Sequence, residues 1–267
     1  SRQLIDKADI TSVNKVLKSD FLTKGSKTLE FEKKSKKFLL SKYAVSVINA
    51  SSALILCCKS LGIKKNDLVW TTASTYIASI NCALHCDALI DLVDINENDY
   101  NIDVLKLENK LIESKKKRKL PKLLIVVHLA GYPCDLKKIR SLSKKYKFKV
   151  VEDASHAFGA KYLNSKIGDC RYSDMTVFSF HPVKVITSAE GGLITTNDKK
   201  IYEKLISLRE NGKEINKKNN YYLKDPNFYD INDLGYNFRL NEINAALGIS
   251  QILKKNKFIK QKNLLAK

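Results

Sequence analysis

The sequence predicts an α/β fold: a seven-stranded, mostly parallel sheet covered by helices on both faces. Two observations carry this. Short apolar or β-branched runs alternate with helical stretches along most of the 267 residues, as they do when strands are buried on both faces and joined by helical crossovers. Apolar residues make up 44% of the chain, enough core for one large domain or two smaller ones.

In chain order, helices over 7–19 and 26–40 precede a first strand at 44–49. A helix over 52–61 follows and is closed by Gly62, the residue type that best tolerates the left-handed turn after a helix. Strands at 68–72, 88–93 and 123–128 alternate with helices over 76–85, 105–114 and 136–145. Strands at 149–153, 175–179 and 192–196 come next, then a helix over 198–209. Turn residues occupy the joints. Residues 211–236 read as a polar, aromatic-rich connection and 240–262 as one long helix.

The expected organisation is an N-terminal helical segment (1–40), a large α/β domain holding the ligand (41–210), and a connection opening a small C-terminal domain (211–267). The chain starts at Ser1 rather than Met and stops inside an amphipathic pattern. It is therefore expected to lack residues at both ends, leaving the small domain truncated.

Composition narrows the function classes. No apolar run reaches the ~18 residues of a bilayer span and no signal peptide opens the chain, so no membrane partner is expected and the location is expected to be cytoplasmic. The net charge of +20 raises nucleic acid as a partner, yet 42 of the 48 basic residues are Lys and six are Arg. Base and phosphate recognition favours Arg forks interleaved with aromatics, so the lysines read as solvating helix faces and no nucleic acid is expected. Six cysteines without a CxxC pair or matching His spacing read as buried thiols rather than a zinc site, and no metal is expected.

In open parallel sheets, ligands sit outside the carboxyl ends of the strands. After the first strand, Asn49, Ala50, Ser51, Ser52 and Ala53 open an apolar helix whose free N–H groups suit an anion; a plain Ser N-cap is the structural alternative. After the second, Tyr76 places an aromatic ring on the same edge. After the fifth, Asp153 precedes Ala154, Ser155 and His156, residues small enough for a flat ligand to approach. The sixth leads to Lys184, the only lysine among residues 172–198, where composition alone would place roughly four. An isolated lysine in a buried stretch has a lowered pKa or a covalent task, unless it extends to the surface.

An anion cup, an aromatic face, a carboxylate and a lone amine are what pyridoxal 5'-phosphate (PLP) requires. The segments 19–25 (SDFLTKG), 127–135 (VHLAGYPCD), 151–157 (VEDASHA), 178–184 (FSFHPVK), 189–192 (AEGG) and 235–239 (GYNFR) resemble the PLP-dependent sugar-nucleotide aminotransferases of the DegT type. That resemblance implies PLP-dependent transferase fold type I, aspartate aminotransferase-like. It also implies transfer of an amino group from L-glutamate to C4 of a UDP-linked 4-keto-6-deoxy sugar.

By the same resemblance, Lys184 matches the Schiff-base lysine, Asp153 the partner of the pyridine nitrogen and Tyr76 the ring that stacks on the cofactor. Ser51, Ser52 and Ser179 match the phosphate cup, and His156 a residue near the phenolic oxygen. Asn237 matches a side chain that reaches the cofactor phosphate of a neighbouring subunit, which implies a homodimer with shared sites. Ser51 stands where the family more often has Thr, and Ser188 where Thr or Gly is usual. Three other readings share the fold: another nucleotide-sugar aminotransferase, a PLP-dependent sugar dehydratase, in whose relatives histidine replaces the lysine, and a non-catalytic PLP-binding regulatory homologue.

Overall fold

The computed structural model describes residues 2–214 and 229–265. Part of the expected 211–236 connection thus lies outside the described residues.

All seven expected strands form one sheet: β1 (Tyr43–Val47), β2 (Leu68–Thr72), β3 (Leu89–Val93), β4 (Leu123–Val127), β5 (Lys149–Asp153), β8 (Met175–Ser179) and β9 (Gly192–Thr196). A two-residue hairpin, β6 (Lys161–Tyr162) with β7 (Ser165–Lys166), stands apart. The sheet order is β1-β9-β8-β5-β4-β2-β3. The five strands from β8 to β3 run parallel, whereas β9 is antiparallel to both β8 and β1. The sheet is therefore mixed at one side. The segment joining β8 to β9 has no helix, and a parallel return needs a crossover of about a dozen or more residues, usually helical.

The helices are α1 (Lys7–Leu17), α2 (Ser26–Leu39), α3 (Ala50–Ser60), α4 (Ala78–Leu84), α5 (Val104–Lys116), α6 (Leu136–Tyr146), α7 (Lys199–Arg209), α8 (Glu242–Leu253) and α9 (Lys255–Leu265). Polar side chains start most of them. Asp6 forms a capping box with Asp9, and Asn49, Asp103, Asp135, Asp198 and Asn241 each accept a backbone N–H of the first turn. The single helix expected over 240–262 is instead broken at Lys254, whose ammonium is drawn to Asp6 (2.9 Å) and Asp9 (2.6 Å) at the start of α1. α1 and α2 both pack on α8. No helix among the described residues is long and apolar enough to cross a membrane.

Strands β4, β8 and β9 are buried at every position, so their residues divide between two cores by strict alternation. One face is rich in aromatics: Phe31, Trp70, Phe148, Phe158, Phe178 and Phe180 pack there. The other, under α3, α4 and α7, holds Val, Leu, Ile, Ala, Met and four cysteines, with no fully buried aromatic ring.

Candidate active site

At the carboxyl ends of the strands lies a cavity of about 510 Å³. Its wall includes Ser51, Tyr76, Asp153, His156, Ser179 and Lys184, six of the eight residues singled out in the sequence. The other two lie elsewhere. Ser52 is buried, does not border the cavity, and donates its N–H to Asn49 Oδ1 at 2.8 Å. The cap of α3 is thus Asn49, which leaves the N–H groups of Ala50 and Ser51, rather than that of Ser52, to meet an anion. Asn237 is exposed and outside this cavity. Its backbone bridges to Glu210, beside the end of β1, where Ile48 N–H donates to Phe238 O at 3.0 Å.

Asp153 closes β5 at 5% exposure. Ser79 Oγ of α4 donates to its Oδ2 (2.7 Å), while Ser155 donates to Oδ1 through both N–H (3.1 Å) and Oγ (2.6 Å). A carboxylate accepts about four hydrogen bonds. Three are filled, and the remaining capacity borders the cavity.

Lys184 is half-buried rather than fully buried, in the loop between β8 and β9, with its N–H on His181 O at 2.9 Å. Burial lowers its pKa, Asp153 opposes that shift, and Lys262 adds to it. Burial also lowers the pKa of His156, helped by Lys184 and Lys262, which favours the neutral imidazole. Ser179 is buried, and His181 N–H donates to its Oγ at 3.4 Å.

Several wall residues were given no role in the sequence reading, although the quoted segments contain them. Asn49, His128, His181 and Glu190 border the cavity. Ser79 braces Asp153 from inside an apolar helix, where a serine draws no notice. Gly192 has a steric role: a Cβ there would collide with the backbone of Asn49 and Ala50, so only glycine lets β9 begin against the α3 cup.

The donor set fits PLP. The residual acceptor capacity of Asp153 suits a protonated pyridine nitrogen, the cup N–H groups and Ser179 suit a phosphate, and exposed Tyr76 offers a flat face. All six cysteines are free and buried. Among the described residues no cluster of three or more His, Cys, Asp or Glu could hold a metal ion.

Comparison with known proteins agrees with this geometry. The model of the DegT/DnrJ/EryC1/StrS aminotransferase family matches residues 3–267. The UDP-4-amino-4,6-dideoxy-N-acetyl-beta-L-altrosamine transaminase of Campylobacter jejuni is 40% identical over 254 residues, covering 95% of this chain and 64% of that protein. The GDP-perosamine synthase of Escherichia coli O157:H7 is 33% identical over 255 residues, with 95% and 65% covered. Among solved structures, Helicobacter pylori PseC, an aminotransferase involved in the biosynthesis of pseudoaminic acid, superposes with a TM-score of 0.85 at 33% identity. That match covers 96% of this chain and 65% of that one. The chain spans about two thirds of the length of such relatives. With a family match over nearly its whole length and a cavity of the corresponding chemistry, the chain belongs to the DegT/DnrJ/EryC1/StrS aminotransferase family.

Proposed function

We propose that this chain carries the cofactor site of a PLP-dependent sugar-nucleotide aminotransferase. It would move an amino group from L-glutamate to C4 of a UDP-linked 4-keto-6-deoxy-N-acetylhexosamine. The product would be UDP-4-amino-4,6-dideoxy-N-acetyl-β-L-altrosamine, a precursor for pseudaminic acid. The observation that carries this reading is that a buried carboxylate, Asp153, and a lysine with a lowered pKa, Lys184, border one cavity beside a helix N-terminus. The sugar and nucleotide follow the altrosamine transaminases, with the perosamine synthases as the GDP-linked alternative.

When bound, the cofactor supplies an electron sink for the charge that develops at the amine-bearing carbon. The protein's part is positional and acid–base. Asp153, oriented by Ser79 and Ser155, holds a proton at the pyridine nitrogen. Ala50 N–H, Ser51 and Ser179 hold the phosphate, and Tyr76 covers the ring. Lys184 would move a proton between the reacting carbon of the substrate and the cofactor C4′ within each half-reaction, a task suited to an amine of lowered pKa.

Two copies would share sites, each receiving Asn237 from its neighbour. Asn237 is exposed and outside its own chain's cavity, as a residue serving a second subunit would be. Six buried thiols fit a reducing cytoplasmic setting.

Mass spectrometry of the product formed from glutamate and UDP- or GDP-linked 4-keto sugars tests the reading. An aminated UDP sugar is expected; amination of the GDP sugar alone would move the assignment to perosamine chemistry, and dehydration would overturn it. Mixing Lys184→Ala with Asn237→Ala dimers is expected to restore activity, and no recovery after verified subunit exchange would count against shared sites.

A further inference from the structure

Lys184 borders a second cavity of about 280 Å³, behind the active site between residues 2–4, its own loop, α8 and α9. Lys262 of α9 borders the same cavity. Its Nζ donates to Val183 O at 3.4 Å, against the peptide that precedes Lys184. Among the described residues Lys262 pairs with no carboxylate, and burial is the cause that lowers its pKa.

The arrangement addresses a conflict built into the active site. Asp153 has to stay anionic to hold a proton on the cofactor ring, yet the same anion beside Lys184 favours the ammonium over the free amine. A proton carrier needs the free amine within reach at neutral pH. The groups around Lys184 are Asp153 at the end of β5, His156 beyond it, His181 and Glu190 on the β8–β9 loop, Tyr76 before α4, Arg2, and Lys262. His156 favours its neutral form and so adds little charge. Lys262, although exposed, is the cation whose Nζ donates to Val183 O, against the peptide preceding Lys184.

We propose that Lys262 is a positioning residue that tunes the catalytic amine: its ammonium, anchored on Val183 O, offsets Asp153 and keeps Lys184 available as a base. A neighbouring cation is an effective way to activate a lysine. The proposal rests on Lys184 as the reacting amine, and makes α9, distant from the strand ends in sequence, part of the acid–base machinery.

Competitive acetylation of the folded chain with acetic anhydride, from neutral to alkaline pH, reads the protonation midpoint of each lysine by peptide mass spectrometry without added cofactor. Lys262→Met and Lys262→Gln should each raise the Lys184 midpoint. Lys262→Arg should leave it near the parent value, and Lys161, on the separate hairpin, should not move in any variant. Neutral variants with an unchanged Lys184 midpoint would overturn the proposal, as would an arginine variant that shifts as far as the methionine one. Failure of the cofactor reading is seen separately, as absence of pyridoxyl label on Lys184 after borohydride reduction.

Discussion

Glu152 and Asp153 are consecutive carboxylates on β5, both nearly inaccessible, facing opposite sides of the sheet. On the aromatic side, Glu152 is closed in by His128 Nε2 (2.8 Å), Thr176 Oγ1 (3.0 Å) and Ser173 Oγ. His128 is locked in turn, its Nδ1 accepting Cys134 N–H at 3.2 Å. On the small-residue side, Asp153 has three donors but also borders the cavity. A buried carboxylate surrounded by protein donors is a structural element, whereas one with acceptor capacity left toward a cavity is available to a ligand. The same residue chemistry, one position apart, is thus closed in by protein groups on one face and borders a cavity on the other.

The largest expected effect breaks the chemical side. Asp153→Asn is expected to retain the cofactor but lose transamination by orders of magnitude, because an amide cannot hold the pyridine nitrogen protonated. Turnover near the parent rate would mean the two carboxylates have been assigned the wrong way round. Glu152→Gln should do the reverse, destabilising the fold by about 1–3 kcal/mol through mismatched buried donors, with turnover per folded molecule close to parental. Denaturant titration alongside kinetics separates the two.

The cores behind these carboxylates should differ similarly. Phe178→Ala, on the aromatic face, is expected to cost about 3–5 kcal/mol, and Ile125→Val, on the small-residue face, about 0.5–1.5 kcal/mol. Equal losses would contradict the contrast. The smallest effect is on pH dependence. Lys184 and Lys262 have native pKa values below the ordinary 10.5, so in the window up to that value the unfolded chain binds more protons than the native one. Their contribution to stability therefore rises with pH there. Lys262→Met should flatten that rise in urea midpoints measured across alkaline pH, and a steeper rise would reverse the sign.

What was legible in the sequence follows the same contrast. Apolar and β-branched runs mark the strands, so all seven were readable from Ala44 to Thr196, the partly exposed edge strand β3 included. Strand direction is not written in such a run, and the reversal of β9 escaped, although Pro182, Gly191 and the lack of helical periodicity after Phe180 were available signals. The break at Lys254 escaped, and the carboxylates its ammonium meets, Asp6 and Asp9, lie at the other end of the chain. At the site, Lys184 and Asp153 stood out by their isolation and their place at strand ends. A serine at a helix start does not reveal that Asn49 takes the N–H of Ser52, which lies outside the cavity wall. Ser79 and Lys262 were not singled out, since a serine in an apolar helix and a lysine among 42 gain meaning only from three-dimensional contacts.

The central claim is that Lys184 is the amine that carries the cofactor opposite Asp153, and borohydride reduction of the PLP-loaded protein followed by peptide mapping tests it most directly. The account predicts a pyridoxyl group on the peptide containing Lys184 and its loss in Lys184→Ala; a label on any other lysine, or none on the loaded parent protein, would contradict it.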